Sequence, residues 1–184
     1  MNSVSGTVFL KTGRDQSLRR RHPWIFTGAI ERITPTIATG DTVQVLSPDG
    51  SYVATGSFSP RSQIRVRVWT FDPTEEIDAQ FFNNRLTQSL QARHRIMTEN
   101  RHSAFRLVNA ESDRLPGLIV DRYTDYLLCQ FHSAGAEFWK TEIVQQLADL
   151  MSVLGIFERS EGSGRTKEGL APARGRLWGQ EPPE

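Results

Sequence analysis

The carboxylates Glu111, Asp113 and Asp121 lie close together in one short stretch, "LVNAESDRLPGLIVDRYTDYLLCQF", residues 107–131. Two carboxyl groups facing each other across a cleft can serve as acid and base, which is what a hydrolase needs. The same residues also make a good turn. Ser112 and Asp113 bend or cap a backbone through their side-chain oxygens, and Pro116-Gly117 sets a bend between two strand-like runs. The turn is the stronger reading. Cys129, the single cysteine, sits among apolar residues in "YLLCQFH". It reads as a small buried hydrophobe, because a nucleophilic thiolate wants an electropositive, partly open setting. His22, His94, His102 and His132 are scattered, no Cys/His spacing matches a zinc site, and no metal is expected. Phosphate-cradling glycine motifs are absent, and "EGSGRTKEG" is set aside because it follows no long apolar strand.

The front of the chain offers different chemistry. "LRRRHPWIFTGAI" places Arg19, Arg20 and Arg21 beside His22 and Trp24. Guanidinium groups pair phosphates bidentately, and an aromatic ring can stack on an unpaired base. Arg61 in "SPRSQ", with Arg65 and Arg67 on an alternating run, extends the patch. Against this, three arginines on one helical turn spread around it, and Trp24-Ile25-Phe26 makes an adequate piece of core. Part of the cluster is expected to bind RNA.

These residues need elements to hold them. The first third reads as short strands broken by turns. Pro48-Asp49-Gly50 marks a hairpin, and "SQIRVRVWTF" alternates with Ile64, Val66 and Val68 on one face. Regularly spaced short strands suggest a small barrel, with a short helix near "DQSLRRRHPW" ending before Pro23. After Phe71 the period changes. Phe82, Leu86, Leu90 and Met97 predict an amphipathic helix, with Asp72-Pro73-Thr74 as its start signal. Strand-like "FRLVN", "GLIVDRY" and "YLLCQFH" follow, then a second helix striped by Trp139, Ile143, Leu147, Leu150 and Leu154, then a strand at "GIFERS". Residues 161–184 hold 5 Gly and 3 Pro and read as a loop or linker.

With 184 residues, 38% of them apolar, the chain can close a core in one domain or two small ones. Net charge is only +1, which excludes a polycation, but residues 1–72 carry 9 basic and 5 acidic side chains against 13 and 16 in the remainder. A single cysteine rules out a disulfide framework within the chain. The N-terminus lacks an apolar core of signal-peptide length, and no stretch approaches the roughly 18 apolar residues of a membrane helix. A soluble, cytoplasmic protein with no membrane partner is expected.

"LKTGRDQSLRRRHPWIFTGAI", "GSFSPRSQIRVRVWTF" and "RLVNAESDRLPGLIVDRY" together resemble the bacterial 23S ribosomal RNA (cytosine-5)-methyltransferases, S-adenosylmethionine-dependent enzymes of class I. The likeness runs from Val8 to about Glu181. It implies an α+β chain: a PUA-like RNA-binding pseudo-barrel at 1–72, a small α/β domain at 73–160, and a flexible tail at 161–184. It also implies a Rossmann-like domain that holds the cofactor and supplies the attacking cysteine. That domain is expected to be absent here, so the chain is read as the RNA-binding front of such an enzyme, positioning 23S rRNA, with no cofactor of its own and no activity alone. Two alternatives stay open: a stand-alone PUA-type adaptor, and a small hydrolase built on Glu111 and Asp113. Homodimer formation is left open too.

Overall fold

A computed structural model describes residues 4–95 and 104–181. Its elements form two sheets with two hydrophobic cores. The first sheet holds β1 (Gly6–Leu10), β2 (Trp24–Phe26), β3 (Ile30–Ile33), β4 (Thr42–Leu46), β5 (Tyr52–Phe58) and β6 (Ile64–Thr70), in the order β2-β6-β5-β4-β1-β3. All pairings are antiparallel except β1 with β4. Alternation drives the inward faces. Val8, Leu10, Val43, Val45, Val66 and Val68 are buried together with Ile25 and Leu18, the latter from helix α1 (Gln16–Arg19). The β4–β5 hairpin forms where Pro48-Asp49-Gly50 marks it. Gly50 takes a φ of +85°, and Asp49 accepts hydrogen bonds from the Ser47 hydroxyl and the Ser51 N–H. Those bonds, the Ser47 hydroxyl first, pull the Asp49 carboxyl down to about 2. Helix α1 stops earlier than Pro23 requires, because Arg21 adopts the left-handed region at φ 64°.

The second sheet holds β7 (Ala104–Asn109), β8 (Leu118–Tyr123), β9 (Tyr126–Phe131), β10 (Gly155–Ser160) and β11 (Ala173–Gly179), in the order β11-β10-β9-β8-β7. Helices α2 (Ala79–Ala92), α3 (Ala134–Phe138) and α4 (Lys140–Leu150) supply its cover. Helix α2 starts at Asp78, whose carboxylate accepts the Phe81 N–H at 2.9 Å, and not at the Asp72-Pro73-Thr74 signal. Its stripe buries Phe82 and Leu86; Met97, expected to extend it, lies outside the described residues. The second expected helix is two. Ser133 caps α3 by accepting the Ala136 N–H, and the chain turns at Trp139 into α4. Leu154, expected on the apolar stripe, is instead exposed.

The expectation of a flexible tail at 161–184 is corrected by the structure. Residues Ser163–Lys167 form the short helix α5, and β11 pairs antiparallel along the whole of β10. The glycines there are not signs of a loose chain. Gly175, at φ 148°, and Gly179, at φ 69°, let the strand bend around the irregular register between Ile156 and Phe157. Strands β9 and β10 run parallel, joined through α3 and α4. That β-α-β crossover is the building unit of doubly wound folds.

The two units are not independent beads. Trp69, from β6 of the first sheet, is 2% exposed and belongs to the second core, edge-on to Phe81 and Phe82 with centroids 6.2 and 5.5 Å away. Gly135 of α3 approaches Ser57 so closely that a Cβ would stand 2.3 Å from its side chain. No described helix is long and apolar enough to cross a membrane.

Candidate functional site

Glu111, Asp113 and Asp121 are all engaged. Glu111 sits on a short 3-10 turn, Ala110–Asp113, between two left-handed non-glycine residues, Ala110 (φ 48°) and Arg114 (φ 57°). Its Oε1 accepts the Trp24 indole N–H at 2.7 Å and an Arg67 N–H at 3.1 Å. Arg67 reaches onward to Glu168, 3.1 Å away, whose side chain is 1% exposed. Glu168 in turn accepts the Ala134 N–H at the start of α3. One guanidinium therefore joins the first sheet to two parts of the second unit. Asp113 takes Arg93 bidentately at 2.6 and 2.7 Å and also the Asn109 N–H. Asp121 pairs with Arg106 across β7 and β8. These are structural duties, as the turn reading expects. The same contacts place Trp24 and Arg67, two members of the expected RNA-binding set, at the junction between the two units.

The remaining members of that set divide. Arg65 is held against the Ser59 and Pro60 carbonyls and the Thr27 hydroxyl. Arg19 pairs with Asp15 at 2.6 Å yet stays well exposed. His22 lends Nδ1 to the Trp24 N–H. Arg20 is exposed, and Arg21 lies over the Phe71 ring, 5.2 Å from its centroid. Arg61 is exposed and packs across Gly169 of the second unit. Arg20 and Arg61 have no ion-pair partner among the described residues, and Arg21 acts on the Asp72 carboxylate through its charge without a close ion pair.

Between the sheets lies a cleft of about 830 Å³, lined in part by Arg21, Trp69, Asp72, Glu75, Arg85 and Glu111. Arg85, nearly buried, pairs with Glu75 at 2.7 Å and stacks over Phe81. Its Nε–H and the Trp69 indole N–H find no hydrogen-bond partner among the described residues. Sequence reasoning did not reach Trp69, Arg85 or Glu168. Trp69 ends an alternating run that reads as surface, Arg85 looks like a solvated helix face, and Glu168 lay in the expected tail.

A second ionic cluster lies under the sheet. Lys140 pairs with Glu137 and Glu158 at 2.7 and 3.0 Å, and Arg165 holds Glu137 at 2.6 Å and the Phe131 carbonyl at 2.7 Å. Despite partial burial, which acts the other way, the Arg165 and Lys140 contacts hold the Glu137 carboxyl below its ordinary range. Cys129 is fully buried, and burial, helped by Glu158, pushes its thiol far up. Among the described residues no group of three His, Cys, Asp or Glu could hold a metal ion.

A family model described as a PUA-like domain matches residues 8–71, the first sheet. The chain is 48% identical over 97% of its length to the ribosomal RNA large subunit methyltransferase I of Pseudoalteromonas translucida, and 47% identical over 97% to that of Aliivibrio fischeri. It spans 45% of the length of either relative. Two solved structures align over 97% of this chain and 44% of their own, each with a TM-score of 0.79 and 19% identity. One is a Streptococcus mutans protein assigned as SAM-dependent methyltransferase, the other a protein assigned as methyltransferase and complexed with SAH. Two expectations are corrected by these findings. The expectation that a Rossmann-like methyltransferase part is absent is overturned: the chain, its second mixed sheet and parallel crossover included, shares its fold over 97% of its length with a protein assigned as SAM-dependent methyltransferase. Nor does the expectation of no cofactor in this chain stand, since one matched structure holds SAH. The chain is thus similar to relatives named ribosomal RNA large subunit methyltransferase I, and its first sheet matches the PUA-like domain model.

Proposed function

We propose that this chain belongs to an S-adenosylmethionine-dependent methyltransferase of bacterial large-subunit (23S) rRNA, acting in the cytoplasm on carbon 5 of a cytosine. Its own task is to grip the rRNA. The observation that carries this is the first sheet itself: it matches a PUA-like domain and, among the described residues, leaves Arg20 and Arg61 without an ion-pair partner. Unpaired guanidinium groups attract a phosphate backbone and release its counterions. Trp24 and Arg67 serve by fixing the barrel against Glu111, so that the basic edge keeps one heading.

The bound cofactor would supply the methyl group. The inter-sheet cleft suits the nucleoside part of such a molecule: about 830 Å³, with Asp72, Glu75 and Glu111 as acceptors for ribose hydroxyls and the unpartnered N–H groups of Trp69 and Arg85 as donors. These residues would orient the group and exclude water from one side of it.

Two measurements test the proposal. Anisotropy of a labelled 23S rRNA hairpin is expected to report binding that weakens steeply with salt; no binding at low salt refutes the RNA reading. Calorimetry with S-adenosylhomocysteine is expected to show heat that Arg85→Met diminishes. Heat equal to dilution would assign the cofactor to the part of the relatives that this chain does not span.

A further inference from the structure

The second sheet has one face under helices and one face without cover. Leu118, Val120, Leu127, Cys129, Phe131 and Ile156 point to the helices and are buried. Period two then sends their neighbours to the other side. Register fixes a row across all five strands of that open side: Arg106 opposite Asp121, Asp121 opposite Leu128, Leu128 opposite Phe157, Phe157 opposite Arg176. Beside the row stand the cross-strand pair Tyr123–Tyr126 and the pair Arg159–Arg174. Tyr123 is 49% exposed, the highest of the large hydrophobics in the second unit.

The charges on this face do not balance. Arg106 is neutralised by Asp121, and Arg159 by Glu161 at 3.4 Å. Arg174 and Arg176 are exposed and have no acidic partner among the described residues. The excess also has a route to the first sheet. Arg61 packs on Gly169, and exposed Lys167 lies two residues before that glycine, on the approach to β11. Unpaired cations at one edge, with accessible rings and aliphatic side chains inward of them, is the chemistry that takes a single-stranded nucleic acid: phosphates along the guanidinium groups, bases on the π faces. A protein partner would need carboxylates placed opposite Arg174 and Arg176, whereas a nucleic acid carries a phosphate at every nucleotide.

We infer that the open face of the second sheet is a platform for single-stranded RNA, with Arg174 and Arg176 on the phosphates and Tyr123, Tyr126 and Phe157 against the bases. This rests on the rRNA reading above and adds a second contact, some strands away from the arginines of the barrel.

The test uses the whole chain, a fluorescent short oligouridylate and the labelled rRNA hairpin. Arg174→Ala with Arg176→Ala is expected to lower the slope of log affinity against log salt for oligouridylate by about 1.4, at about 0.7 per phosphate released from a single strand. Tyr123→Ala is expected to weaken oligouridylate about 5- to 100-fold, and Tyr123→Phe to restore it. Arg20→Ala with Arg21→Ala should spare oligouridylate and weaken the hairpin. Circular dichroism and an unchanged melting midpoint show that each variant is folded; these side chains lie on the solvent face. Oligouridylate affinity and slope unchanged in the face variants, with the hairpin still bound by wild type, overturns the platform alone. Loss of a protein–protein association in those variants with RNA binding intact overturns it in favour of a docking surface. A wild-type chain that binds neither RNA sinks the rRNA reading first and the platform with it.

Discussion

Arg67 touches two carboxylates and a ring, and it shows how much one side chain can be asked to do. It bridges Glu111 and Glu168 at 3.1 Å each and sits 5.6 Å over Trp24. Glu168 is buried, so removing the cation leaves an uncompensated charge out of water. Arg67→Met is expected to cost about 3–5 kcal/mol in urea unfolding, and Arg67→Met with Glu168→Gln markedly less. At the barrel edge the expectation differs in kind. Arg20→Ala with Arg21→Ala should leave stability nearly unchanged and lower the salt slope for structured rRNA by about 2. His132 gives a pH test. Burial first, then the charges of Arg165 and Arg67, depress its pKa below the ordinary 6.5. The unfolded chain therefore binds the proton more readily than the folded one. Stability contributed by neutral His132 is intact above pH 6.5 and declines as pH falls from there to the folded pKa. An NMR titration of the His132 ring with a midpoint at or above 6.5 would contradict this. The residue-level reading of the sequence separated these cases unevenly. Cys129 as a buried hydrophobe and the acid-rich stretch as a turn followed from neighbours in the chain. That Trp24 and Arg67 serve the junction did not, because Glu111 and Glu168 lie 87 and 101 residues away from the groups they hold.

Elements were legible wherever a period ran long enough. β6 to β10 appear in the strand-like runs, because β6 alternates apolar and charged residues and β7 to β10 are short runs rich in apolar residues over six positions each. The end of the chain was misread for a physical reason. β11 is an edge strand whose glycines serve its bend, so composition said loop where pairing with β10 says strand. The pattern that could have revealed it is Arg174-x-Arg176, the same two-residue beat as Arg65-x-Arg67. The start of α2 went astray likewise: Asp72 satisfies Thr74 locally, and the cap that counts is Asp78. Packing beneath these elements yields another expectation. Phe82 is fully buried against Trp69, Phe81 and Trp139. Phe82→Ala should cost about 3–5 kcal/mol and lower the melting midpoint of both units together, since Trp69 belongs to one sheet and packs in the core of the other. Separate transitions by near-ultraviolet circular dichroism would argue against that coupling.

At the scale of the molecule, the sequence conveys a barrel-like front and a mixed sheet behind it, and it does not convey how they meet. The seam is made of long-range contacts: Trp24 and Arg67 to Glu111, Arg67 to Glu168, Gly40 against Phe138 and Gly135 against Ser57. Each is a close fit, and Gly135→Ala would push a methyl group into Ser57, with an expected loss of about 1–3 kcal/mol. The glycine at that seam has a mechanical meaning. Where a bulkier residue would hold the halves apart as a hinge, backbone meets side chain directly, and the pair behaves as a set square. On the rRNA reading proposed above, a nucleic acid seated on the arginines of one arm would be presented to the other arm at a fixed angle, and the geometry of the protein would gauge the shape of that RNA.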